Sequence, residues 1–252
     1  MAARPSRLPE GPAPVPVAQK LRIRYAKRGR LRFSSARDFQ RALERALRRA
    51  AVPMAFSAGF HPHPKISYAG AAPTGTASEA EYVEISVTDR LDPEQVRVAL
   101  DQALPPGLDV LEVVEAVPGA LADRLQASDW EVRFTGIPVG EIGNAIDALL
   151  ARDRVEVTRM MTNGPRTFDV RGALVAMLVV QDDHGGCAIL RMVVRHTTPA
   201  VRPDDVLAAL HAVAALSPPT PPLVTRLAQG PLHLATATVA DPLAPDQDDD
   251  GS

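Results

Sequence analysis

The chain has 252 residues, 46% of them apolar, and a formal net charge of −2, enough for one large core or two small ones. A single cysteine, Cys187, excludes an internal disulfide framework and any all-cysteine zinc or iron–sulfur site, and is expected to be a small buried residue. No apolar run approaches the roughly 20 residues of a membrane span. The N-terminus lacks the apolar core of a secretory signal, so a cytoplasmic location without a membrane partner is expected.

Residues 1–19 are rich in Pro and Ala and lack periodicity, which predicts a disordered leader. From Lys20 to Lys65 the chain carries thirteen Lys or Arg against only Asp38 and Glu44, a formal +11, so the remainder carries −13. Such asymmetry points to an anionic partner at one place on the surface. Leu21, Ile23 and Tyr25 alternate with Lys20, Arg22 and Arg24, predicting a half-buried strand with one basic face. Gly29 allows a turn, after which Leu31 and Phe33 are expected to resume the alternation. Ser35 with Asp38 predicts a helix start. Phe39, Ala42, Leu43, Ala46, Leu47 and Ala50 form its apolar stripe, and Arg37, Arg41, Arg45, Arg48 and Arg49 occupy much of the remaining surface until Pro53.

The Gly- and Pro-rich stretch 56–65 reads as a loop. Short strands are expected at 66–69, 81–87 and 108–114, with a helix from Pro93 to Ala103 between the last two. The order strand, helix, strand, strand, helix, strand over 20–117 is that of a split βαβ, ferredoxin-like domain. Its antiparallel sheet is covered by helices on one face and leaves the other as an open platform. A linker at 118–128 precedes a second α+β unit at 129–230, so tandem ferredoxin-like domains are expected. Residues 231–252, ending in DPLAPDQDDDGS, read as an acidic disordered tail.

Several residues carry a family likeness: Lys27–Arg28–Gly29, Leu31–Arg32–Phe33, Ser35 and Asp38, and the helical Arg41, Arg45, Arg48 and Arg49. Val52–Pro53, Ser57, Gly59–Phe60, Pro62–His63–Pro64–Lys65, and Gly75, Ser78, Glu79, Glu81 and Tyr82 continue it. Together they resemble the radical-SAM-linked proteins, a domain of unknown function fused to radical S-adenosylmethionine enzymes or encoded apart from them. The likeness covers roughly 20–116 and implies a radical SAM partner or pathway. The family usually has His after the serine that precedes the helix, where this chain has Ala36, which removes an imidazole from any scheme needing it.

Guanidinium groups bind phosphate through paired donors, so Arg22, Arg24, Arg28, Arg32, Arg41, Arg45, Arg48 and Lys65 are the expected contacts to an RNA, transfer or ribosomal. Phe60 and His63 would position the substrate, with Phe60 as a stacking surface or a buried loop anchor. Tyr25 shares a strand face with Leu21 and Ile23 and reads as core. His61 and His63 lack a third metal ligand nearby, so no metal and no cofactor are expected. Glu79, Glu81 and Glu84 read as structural ion-pairing partners. The expected function is an RNA-binding accessory to an RNA-modifying or processing enzyme. The alternatives are a docking module for a radical SAM partner and a hydrolytic or RNA-cleaving enzyme with His63 as general base.

Overall fold

The computed structural model describes residues 14–182 and 187–247. Most of the expected leader, 1–13, lies outside the described residues, as do 248–252. Residues 14–18 lead directly into the first strand, where the Ala18 N–H donates to Val87 O (2.9 Å). The chain is a mixed α+β protein built on one large sheet. Among the described residues no helix is long and apolar enough to cross a membrane.

Strand β1 (Gln19–Lys27) is followed by helix α1 (Ala36–Arg49), β2 (Ile66–Ala69), β3 (Ala77–Val87), α2 (Pro93–Ala103) and β4 (Val110–Glu115). Leu31 and Phe33 do not resume the strand. Gly29 takes a left-handed φ of +54° and winds Gly29–Phe33 into a 3-10 turn, closed by Leu31 N–H to Arg28 O (3.0 Å). Ser35 and Asp38 cap α1 reciprocally: the Asp38 N–H donates to Ser35 Oγ, and the Ser35 N–H to Asp38 Oδ2, both at 3.2 Å.

The second half runs through α3 (Leu121–Arg124), β5 (Ala127–Thr135), α4 (Val139–Leu150), the hairpin β6 (Glu156–Met161) and β7 (Gly164–Asp169), then β8 (Leu174–Gln181), β9 (Cys187–Arg195), α5 (Pro203–Ala214) and β10 (Leu223–Gly230). Strand order in the first half is β4-β1-β3-β2 and in the second β10-β5-β9-β8, with antiparallel neighbours throughout both. The halves do not keep separate sheets. β2 covers only Tyr82–Ile85 of the longer β3, which leaves Ala77 and Ser78 open, and β10 pairs there in parallel. That pairing joins the halves into one eight-stranded sheet and satisfies backbone groups that would otherwise be orphaned.

Each half has its own apolar core on the helix-bearing side. Leu21, Ile23, Val83 and Ile85 pack beneath Phe39, Leu43, Leu47 and Leu100. Val132 and Phe134 pack beneath Ile142, Leu149, Val206 and Leu210. The boundary between the cores is polar. Arg226 donates to Glu81 and lies 5.5 Å from the centre of the Trp130 ring. Gln229 donates to Ala80 O (2.7 Å), and Ser128 Oγ bonds His196 Nε2 (2.8 Å).

The opposite face of the first-half sheet is not an open platform. Helix α3, inside the expected 118–128 linker, and the C-terminal segment close over it. Tyr82 and Ala80 pack there against Leu121, Leu125 and the fully buried Leu243. The segment beginning at 231, expected to be disordered, forms β11 (Leu232–His233), β12 (Thr238–Val239) and α6 (Ala244–Gln247). It is held by the Leu243 side chain, by Asp246, which accepts from Arg22 (2.6 Å) and Arg124 (2.7 Å), and by hydrogen bonds from Arg124 to Pro242 O (2.8 Å) and from the Leu232 N–H to Gln126 (3.1 Å). A Cβ at Gly230 would collide with Ala240 O, so the segment also lies close along the end of β10.

Candidate functional site

The expected cationic contacts divide according to the element that carries them. On β1 the period of two sends Leu21, Ile23 and Tyr25 to the helix side and Arg22 and Arg24 to the covered side. Arg22 is only 1% exposed, held by Glu84 (3.0 Å) and Asp246 (2.6 Å). It is therefore a structural cation, and the expectation that it grips phosphate is corrected: a backbone arriving from solvent cannot reach it. Arg24 is half-buried and donates to Glu79 O (2.9 Å). Arg28 is exposed yet bridges Glu79 (2.5 Å) and Asp109 (2.7 Å), which raise its pKa further above the ordinary arginine range, the Glu79 hydrogen bond most. Arg32 is half-buried, with its guanidinium 4.7 Å from the Phe33 ring centre.

Helix α1 is different. Phe39, Leu43, Ala46 and Leu47 turn inward, and Arg37, Arg41, Arg45 and Arg48 turn outward and are exposed. At about 100° per residue the four arginines fall within about 80° of arc, in a row about 16 Å long. None has a carboxylate within 4.0 Å among the described residues. Two acids share the helix with the row: Glu44 accepts from Gln40 (3.0 Å), and Asp38, held in the cap by Ser35, feels the charge of Arg41. Arg49, on the flank, donates to Ala103 O (2.9 Å) and is a packing residue.

Lys65 is exposed at the base of the 56–65 loop, where its N–H donates to Ala55 O (2.8 Å). The loop is a narrow hairpin, with Phe56 opposite Pro64 and the Ser57 N–H donating to His63 O (2.9 Å). Phe60 at its tip is 80% exposed, so of its two expected roles the buried anchor is excluded and the free ring remains. His61 and His63 are exposed, and the His63 ring makes no hydrogen bond among the described residues. No group of three His, Cys, Asp or Glu able to hold a metal occurs among the described residues. Glu79, Glu81 and Glu84 pair with Arg28, Arg226 and Arg22 respectively, and Glu84 also with Lys20.

Of the concavities near these elements, two bear on a charged ligand. The larger, about 520 Å³ between α2, β4 and α6, is lined by Asp92, Glu94, Glu115 and Asp246 and has the wrong sign for a polyanion. The smaller, about 190 Å³, opens between the start of α1 and the turn joining β2 to β3, and Ala36 lies on its wall. Lys27 lines it and is buried; composition does not distinguish this lysine from the other cations of the segment. Its register does, since the period of two aligns it with Leu21, Ile23 and Tyr25 on the apolar side.

The chain belongs to the family described as an uncharacterized protein conserved in bacteria (DUF2344), whose sequence model matches residues 20–203. That description names no chemistry, and no radical SAM enzyme appears in it. No curated protein matches the chain.

Proposed function

We propose that this protein binds RNA through the outer face of α1, with Arg37, Arg41, Arg45 and Arg48 gripping successive phosphates. The observation that carries the reading is the exposure of those four guanidinium groups without a carboxylate partner among the described residues. Phosphate contacts of this kind give affinity that falls with salt and little sequence preference. The exposed Phe60 ring at the tip of the 56–65 loop and Lys65 at its base supply a stacking surface and one further charge. Of the other expected contacts, Arg24 lies on the covered side of the sheet, Arg28 is bound by Glu79 and Asp109, and Arg32 lies over Phe33, so the α1 row carries this reading by itself.

The matching strand order in the two halves supports reading them as tandem ferredoxin-like units. On this reading the first unit binds and the second braces it through β10. The protein is read as a cytoplasmic accessory to an RNA-modifying or processing enzyme, and the radical SAM class of that partner is what the sequence resemblance implies. His63 lacks an oriented partner among the described residues, which leaves its general-base reading without support.

The test is filter binding of transfer and ribosomal RNA to wild type and to Arg41→Glu/Arg45→Glu/Arg48→Glu. The triple variant should lose retention at moderate salt. In the wild type the log–log salt slope should be steeper by about 2, given roughly 0.7 per phosphate on single strands. Equal retention and equal slope would sink the proposal, and a pull-down of a protein partner that survives nuclease but not the reversal would put docking in its place.

A further inference from the structure

The 190 Å³ cleft beside α1 meets the arginine row only at Arg37 and carries chemistry the RNA reading does not use. Lys27 lies at its base and is 5% exposed. The Lys27 ammonium donates to Ala72 O and Pro73 O, each at the long distance of 3.3 Å. An ammonium has three N–H donors, and no described residue claims the third. No carboxylate lies within 4.0 Å of it among the described residues. Glu81, the acid lining the cleft, accepts instead from Arg226 and from the Ala72 N–H. A buried cation whose nearest acid acts on it only from beyond 4.0 Å is costly, and an anion entering in contact with it offsets that cost.

The remaining walls are aromatic and positive. Tyr25 and Phe39 stack at 4.1 Å, and Tyr68 meets Phe39 edge-on at 6.1 Å with part of its ring open to solvent. On the other side Ser34 and Ser35 lead into α1, whose first turn is capped by Asp38, and the exposed Arg37 stands at the lip. Burial lowers the pKa of Lys27, with Glu81 opposing and Arg226 assisting that shift, so the ammonium gains most from a new negative neighbour. The volume falls below the roughly 300–1,000 Å³ of sites for drug-sized ligands and suits a single ring.

We propose that this cleft binds a small planar ring bearing an anionic group, with the anion on Lys27 and the ring against Phe39 and Tyr68. The probes are benzoate, benzyl alcohol (the ring without the charge) and acetate (the charge without the ring), titrated into the full chain. Backbone amide NMR shifts at Ser35 and Ala72 give the readout. Benzoate should bind saturably with shifts centred on those amides, about tenfold tighter than either of the others. Lys27→Met should abolish the preference for benzoate over benzyl alcohol, and Ala36→Trp, which fills the mouth from an exposed position, should block both. No saturable benzoate binding, shifts centred elsewhere, or an unchanged preference in Lys27→Met overturns the proposal. Should Lys27→Met fail to fold, Ala36→Trp decides: lost benzoate binding supports the site and retained binding refutes it. RNA is absent from the titration, and the α1 triple reversal should bind benzoate like wild type, so this proposal and the RNA reading fail independently.

Discussion

Two rows of arginine leave the first fifty residues, and the protein treats them in opposite ways. The β1 row faces a surface that the C-terminal segment covers. Arg22 is consequently sealed between Glu84 and Asp246, and Arg24 is held by a backbone carbonyl. The α1 row faces solvent with no carboxylate within 4.0 Å of it among the described residues. Equal charge therefore says little about role. What separates structural from available cations is whether a carboxylate from elsewhere in the chain is positioned to meet them.

The largest effect that sharpens this contrast is on the covered row. Asp246→Ala leaves Arg22 and Arg124 without their shared partner and should destabilise by about 3–5 kcal/mol, read by urea unfolding. The substitution should also change the acid response. Burial raises the Asp246 pKa, but the hydrogen bonds from Arg22, Arg124 and the Val117 N–H outweigh it and hold the carboxyl below its ordinary 3.8. That contribution is present above pH 3.8 and is lost as pH falls through the lower folded value, and the variant should lack it. Asp246→Ala as stable as wild type would mean that the segment lies on the sheet without holding it.

A smaller acid effect comes from the polar boundary between the cores. Burial lowers the pKa of His196 below 6.5, despite its hydrogen bond to Leu125 O. The unfolded chain then takes up this proton more readily than the folded one, so stability should fall as pH drops below 6.5 towards the folded value. His196→Gln should flatten that part of the profile and leave the Asp246 part intact. Two separable steps in stability against pH are expected, and a single merged step would contradict the assignment.

Much of the fold was legible because its signals are local. The alternation through Leu21, Ile23 and Tyr25, the Ser35–Asp38 cap and the apolar spacing from Phe39 to Leu47 each act within a few residues. The fate of Arg22 was not legible, since its partner lies 224 positions away in a segment whose composition reads as disordered. The side chains that seal it to the sheet are one leucine and one aspartate, and its other ties are scattered single hydrogen bonds, too sparse to register in a window of composition. The cleft was hidden for a similar reason. Its lining comes from four stretches, around Tyr25, Ser35, Tyr68 and Glu81, that only sheet pairing brings together. The lysine in apolar register was the one trace of it in the sequence.

The α1 row should break nothing when altered, and that is the other side of the contrast. Ser35→Ala, which removes the cap and none of the charge, should cost about 1 kcal/mol in unfolding experiments. It should leave RNA retention unchanged, because the arginines keep their arc once the helix forms. Retention that fell with the cap would mean that the first turn, rather than the row, makes the contact.

The smallest expected effect belongs to Arg28, which is intermediate between the two rows: exposed like those on α1, paired like those on β1. Its bridges to Glu79 and Asp109 are screened by solvent, so Arg28→Ala should change stability by no more than about 0.5 kcal/mol. Because both partners are acids, RNA must displace them before it reaches this guanidinium, so the salt slope should hardly move. A loss of binding as large as that of a single α1 reversal would show that RNA does compete with Glu79 and Asp109. The binding surface would then extend from the helix onto the end of β1, and pairing within the chain would no longer mark a cation as unavailable.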